Sequence, residues 1–177
     1  MTDAEPQLPE WYRELGVGGR RWPWWGWIPV AAIFIAVFVW WALHPDGLPR
    51  EDGEIEISVA AGQTAYVGLI GRESDGEPRE IDIRDVTFDT SADGLELEAL
   101  ICRDGAIGST TDPGEFCAEV VEAQGSLTLG GDDQLIVAIT GSDSALIRVN
   151  EVDISYRDGL QFGTDSTGPV IVVYVVG

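Results

Sequence analysis

The sequence predicts an all-β domain, an antiparallel β-sandwich of about eight strands, held outside the cytoplasm behind a single transmembrane helix. Three observations carry that prediction. Residues 22–43 contain no ionisable group. From Glu54 onward, apolar residues recur with period two between Gly- and Asp-rich turns. Both cysteines of the chain, Cys102 and Cys117, fall in that second region.

The first element, residues 1–21, is polar and carries Pro6 and Pro9 ahead of the short segment Glu10-Trp11-Tyr12-Arg13-Glu14-Leu15. Gly16, Gly18 and Gly19 interrupt any helix there, so the stretch reads as a tail too short to be a domain. The apolar run follows. A bilayer core of ~30 Å needs about 20 helical residues at ~1.5 Å each, which residues 22–43 supply. Trp22, Trp24, Trp25 and Trp27 mark one end and Trp40 with Trp41 the other, the positions that indole rings take at two membrane interfaces. No polar face can be drawn on the run, which separates it from a soluble core helix. Pro29 lies in its first turns, where a missing N–H costs least. Ala32 and Ala36, four apart, give a weak pattern for helix self-association.

Arginine placement sets the orientation. Arg13, Arg20 and Arg21 precede the run and only Arg50 follows at a comparable distance, which puts the N-terminus in the cytoplasm and the larger part outside. Bulky Trp40 and Trp41 stand where a signal peptidase requires small residues, so the run reads as an uncleaved anchor in the cell membrane. Residues 44–53, beginning His44-Pro45-Asp46-Gly47-Leu48-Pro49, are expected to be a stiff, turn-forming linker.

Residues 54–177 form the outer domain. Glu54 to Val59 alternates strictly, Ala61-Gly62 marks a turn, and Thr64 to Ile70 returns, so the opening reads as a hairpin. Ile81 and Ile83 belong to a further strand that continues through Val86 and Phe88, with a bulge near Asp85 where the phase changes. Leu95, Leu97, Ala99 and Ile101 give the next. Ala118 to Glu122, Ser126 to Leu129, Gln134 to Thr140, Ala145 to Tyr156 and Val170 to Val176 complete the set, with no helical period after the membrane segment. Short strands at this spacing predict a sandwich that is Ig-like or similar. The last strand is apolar on both faces and should be central, since it would be an aggregation hazard if exposed. One internal echo, Asp85-Val86-Thr87-Phe88 followed by Asp93-Gly94-Leu95 against Asp153-Ile154-Ser155-Tyr156 followed by Asp158-Gly159-Leu160, is a weak sign of two equivalent hairpins, since strand-turn composition alone makes such echoes common.

Cys102 and Cys117 lie at the edges of β-type runs with a turn-rich connection between them, in a compartment where disulfides persist, so they are expected to pair.

Charge and residue supply exclude several function classes. All 10 basic residues are arginine, against 31 acidic ones; from Gly47 onward 26 acids face 7 arginines, a net of -19. Such a domain repels nucleic acid and anionic headgroups. The sole histidine, His44, sits at the outer interface, and without lysine the usual bases of nucleophilic catalysis are missing. Zinc and copper sites lack ligands. Calcium needs only oxygen, and Asp132, Asp133, Asp158 and Asp165 in turn regions are the weak candidates, although no Asp-x-Asp-x-Asp-Gly loop is present. Residues 158–169 read as a long polar loop in which Phe162, Thr164 and Asp165 are the best candidates for a partner surface. No cofactor and no catalytic residue is expected. The expectation is a non-enzymatic interaction or accessory domain that meets lipid through its helix and a protein partner at the membrane, and binds no nucleic acid; the alternative is a tethered calcium- or small-ligand-binding module.

Overall fold

The structure, a computed structural model, describes residues 24–50, 53–71, 78–90, 94–143 and 145–177. The expected tail, residues 1–21, lies outside the described residues. The chain divides into two compact units that meet in sequence between Val39 and Trp40.

Trp24–Gly26 forms a single 3-10 turn that leads into helix α1 (Trp27–Ala42), 16 residues without a charged side chain and with none buried. The helix is shorter than residues 22–43. Gly26 is a weak helix former, while Pro29 is tolerated because N–H groups of the first turn have no intrahelical acceptor. At ~1.5 Å per residue α1 is about 24 Å long. Among the described residues, no helix is long and apolar enough to cross a membrane.

Beyond α1 the chain folds into strands β1 (Glu54–Ala60), β2 (Thr64–Ile70), β3 (Arg79–Thr90), β4 (Leu95–Arg103), β5 (Ser109–Thr110), β6 (Glu119–Glu122), β7 (Gly125–Leu129), β8 (Gln134–Gly141), β9 (Ala145–Asp158), β10 (Gln161–Thr167) and β11 (Val170–Val176). One sheet runs β1-β11-β9-β3-β7, with β10 also on β9; the other runs β5-β2-β8-β4-β6. Their inner faces meet in one core that includes Ile57, Val173, Ile154 and Leu127 from the first sheet and Val67, Ile101, Val137 and Ile139 from the second. Removing each such aliphatic side chain from water stabilises the fold by about 1.5–3 kcal/mol before entropy is counted. The domain is thus mostly β and two-layered, as expected.

Three details depart from the expectation. First, β1 and β2 are not a hairpin. β1 pairs with β11, and β2 with β8 and β5 in the opposite sheet. The turn after β1 is an arch: Gln63 N donates to Ala60 O, while Ala61 N reaches Val176 O and Gly62 N reaches Gly141 O. The same Ala-Gly signal serves an arch or a hairpin, because the turn alone does not choose which strand pairs. Second, β1 runs parallel to β11, so the first sheet is mixed rather than antiparallel. Third, β5 and β10 are strands that the period-two pattern did not mark, so eleven strands stand among the described residues where about eight were expected.

Other elements match. The bulge expected near Asp85 is present: β3 pairs with β9 through Ile83 and Tyr156, skips Arg84 and resumes at Asp85 and Ser155. The final strand lies between β1 and β9, covered on both edges. The two echoing segments are not equivalent hairpins but partners, with Val86 opposite Ile154 and Thr87 opposite Asp153. Cys102 and Cys117 are bonded, with Cα atoms 5.3 Å apart. They form a second small cluster with Ile107 and Ile136 on the outer side of the second sheet, since Ile101 and Cys102 point to opposite faces of β4.

Candidate functional site

The most elaborate polar network described lies where residues 44–50 meet β10. Because β1 runs parallel to β11 with Glu54 opposite Val170, the chain before β1 continues along the free edge of β10. Pro45 and Pro49 lack the N–H needed for a ladder, so side chains fasten the segment instead. Thr167 Oγ1 donates to Pro49 O at 2.6 Å, and Leu48 N donates to Asp165 Oδ2 at 2.9 Å. Arg79 donates to Asp46 O at 3.0 Å, and Gln161 Nε2 donates to Trp41 O at 2.8 Å and His44 O at 3.2 Å. Gly163 permits the close approach, since a Cβ there would stand 2.6 Å from Pro45 Cγ. Leu48 is 7% exposed. The segment expected to be a stiff, turn-forming linker is therefore docked on the domain as far as Pro49. His44 belongs to the same end: its Nδ1 bonds Trp40 O at 2.6 Å and its ring stacks on Trp40.

Tyr156 is the hub. Its hydroxyl lies 2.8 Å from Asp165 Oδ2 and 3.0 Å from Asp46 O, two acceptors sharing one proton. Burial first, and then the hydrogen bond to the Asp165 carboxylate, hold the phenol far above its ordinary value of 10.0. Above about pH 10 the unfolded chain therefore loses this proton while the folded one keeps it, so stability is complete below that pH and declines as pH rises. Lysine is absent and the cysteines are bonded, so phenols are the main side chains left to titrate in this range. Between about pH 9 and about pH 11 the wild-type urea midpoint is expected to fall, by up to ~1.4 kcal/mol of stability per pH unit above pH 10. Tyr156→Phe should flatten that slope; an equal slope in both proteins would remove Tyr156 as its source.

Residues 158–169 are not a loop. They form the β9–β10 hairpin, with Asp158 paired to Gln161 and Gly159 supplying the positive φ of 56° that the tight turn needs. The pleat then divides the three candidate partner residues. Phe162 points outward, 52% exposed, with the Arg157 guanidinium 5.6 Å from its ring centre, and Thr164 points outward to Ser155 at 3.0 Å. Asp165 points the other way, into the docked segment.

No protein-family model and no curated protein sequence matches this chain. It is similar to a chain in the solved structure of PbICP-C in complex with falcipain-2, over 76% of this chain and 96% of that one, at 16% identity and a TM-score of 0.25. A likeness of that degree assigns neither fold nor function.

The calcium candidates are dispersed among other duties. Asp133 pairs with Arg103 at 2.5 Å, Asp158 with Arg79 at 3.4 Å, and Asp165 with Tyr156 and Leu48 N. Asp132 lines a hollow of about 130 Å³ with Asp104 and Gly105. Among the described residues, no three His, Cys, Asp or Glu side chains are grouped to hold a metal ion. Sequence reasoning missed Gln161 and the hub role of Tyr156, which reads as an ordinary core residue. The available signal was Leu48, an apolar residue between two prolines in an otherwise polar linker.

Proposed function

We propose that the chain is a single-pass membrane protein whose helix anchors a non-enzymatic interaction domain on the extracytoplasmic side. The observation that carries this reading is α1, uncharged along its whole length and without a buried residue, continuing into a segment fastened to a disulfide-bonded domain. With the preceding 3-10 turn, α1 measures about 30 Å, the thickness of a bilayer core. Tryptophans at both ends suit the two interfaces, and arginines crowd the N-terminal side. A disulfide is stable in an oxidising compartment, which accords with the same orientation. Tethering raises the effective concentration of the domain for partners in the same membrane, so modest affinity suffices for capture.

Cell fractionation tests the proposal. The full chain is expected to stay with membranes through an alkaline carbonate wash, and a variant lacking residues 22–43 to move into the soluble fraction. A C-terminal epitope should be digested by protease added to intact cells. An epitope protected in intact cells, or a full chain extracted by carbonate, would overturn the reading.

A further inference from the structure

We infer that the tip of the β9–β10 hairpin, Leu160 and Phe162, rests in the headgroup region of the bilayer that holds α1, as a second contact beside the helix; this rests on the anchor proposed above. Trp40 and Trp41 close the uncharged run, so they mark the level at which the chain leaves the apolar layer. Gln161 is hydrogen-bonded to Trp41 O and His44 O at 2.8 and 3.2 Å, which puts the hairpin turn within one side-chain length of that level. Leu160 and Phe162 flank Gln161 in sequence, and they are 59% and 52% exposed. A two-residue turn ordinarily carries polar residues, whereas this one, with Phe162 beside it, presents two exposed apolar side chains at one tip.

The polar surroundings suit the same occupant. Arg157 lies over Phe162 and donates from Nε to Gly159 O at 2.6 Å, so its guanidinium sits beside the aromatic ring at the tip, where lipid phosphates would lie. Asp158 is neutralised by Arg79 at 3.4 Å. The net charge of -19 from Gly47 onward argues for a zwitterionic surface and against an anionic one. Leu146, also exposed, provides the contrast: it lies near the opposite end of β9, about 40 Å along the strand from the turn at ~3.3 Å per residue.

Spin labels report the depth. The native cysteines are bonded, so a cysteine introduced as L160C, L146C or I35C in the full chain is a lone free thiol. In phosphatidylcholine vesicles, the ratio of oxygen to nickel-chelate collision rates is expected to be several-fold higher at position 160 than at 146, and highest at 35. If 160 matches 146 while 35 reads as lipid, the hairpin contact is refuted and the anchor stands. If 35 itself reads as water, the anchor is refuted and the contact with it. Shielding of 160 from both probes would mean that protein covers the tip, which also refutes the lipid contact. F162C repeats the measurement at a second site should L160C disturb the turn.

Discussion

Replacing Cys102 and Cys117 together by alanine is expected to lower the melting temperature of the domain by roughly 10 °C. The bridge closes a loop with a sequence separation of 15, for which chain entropy gives about 3 kcal/mol. A domain of roughly 130 residues loses a few tenths of a kcal/mol of stability per degree near its midpoint, which converts the one figure into the other. Local packing points the same way. Cys102 is fully buried, and apart from the bridge the loop that returns to Cys117 is held by the short β5–β2 pairing and by hydrogen bonds from Gly68 N to Gly108 O at 3.0 Å, Gly105 N to Asp132 O at 2.7 Å, Ile107 N to Gln134 Oε1 at 2.7 Å and Ala118 N to Arg103 O at 2.9 Å. Calorimetry of the full chain in detergent, with and without reductant, provides the check. Reductant should reproduce the drop in wild type and have no effect on the double variant. A shift under about 2 °C would show that the hydrogen bonds alone hold the loop.

Asp165→Ala is the second large effect. It removes the acceptor for Leu48 N and the nearer of the two acceptors for the Tyr156 hydroxyl, which keeps Asp46 O, and hydrogen bonds to a carboxylate are worth about 1.5–3 kcal/mol each. Partial exposure of Asp165 lets water replace some of that, so a total near 3 kcal/mol is expected, again roughly 10 °C. The local consequence separates this from general destabilisation. Arg50 follows the docked segment, and trypsin should cut after it faster in the variant at a temperature where both domains remain folded. Combining Asp165→Ala with Tyr156→Phe should cost less than the sum of the two, because they share one bond. Full additivity, or unchanged cleavage at Arg50, would show that the carboxylate does not fasten the segment.

The strands that alternate apolar with polar residues were legible because one face of each is in the core: Ile57 and Val59 in β1, Ile81 and Ile83 in β3, Leu127 and Leu129 in β7. β10 was not. Its inward positions are Gly163, Asp165 and Thr167, which face Pro45, Tyr156 and Pro49 instead of the apolar core, so the hydrophobic period that reveals a strand is absent. The cysteine pair was legible from its placement at the edges of two β-type runs joined by a turn-rich connection. The arch after β1 was not, since pairing is decided by sequence-distant strands, here β11 and β8, that no local pattern names. Of the candidate site, Phe162 and Asp165 were singled out as neighbours on a loop, whereas they lie on opposite faces of a strand.

The parallel pairing of β1 with β11 has a mechanical side. Seven residue pairs, Glu54 with Val170 through Ala60 with Val176, join the first strand after the docked segment to the strand near the C-terminus. Tension drawn between those two ends loads the ladder in shear, so all of its bonds must give way together. Had the strands been antiparallel, the same pull would have peeled them apart one pair at a time.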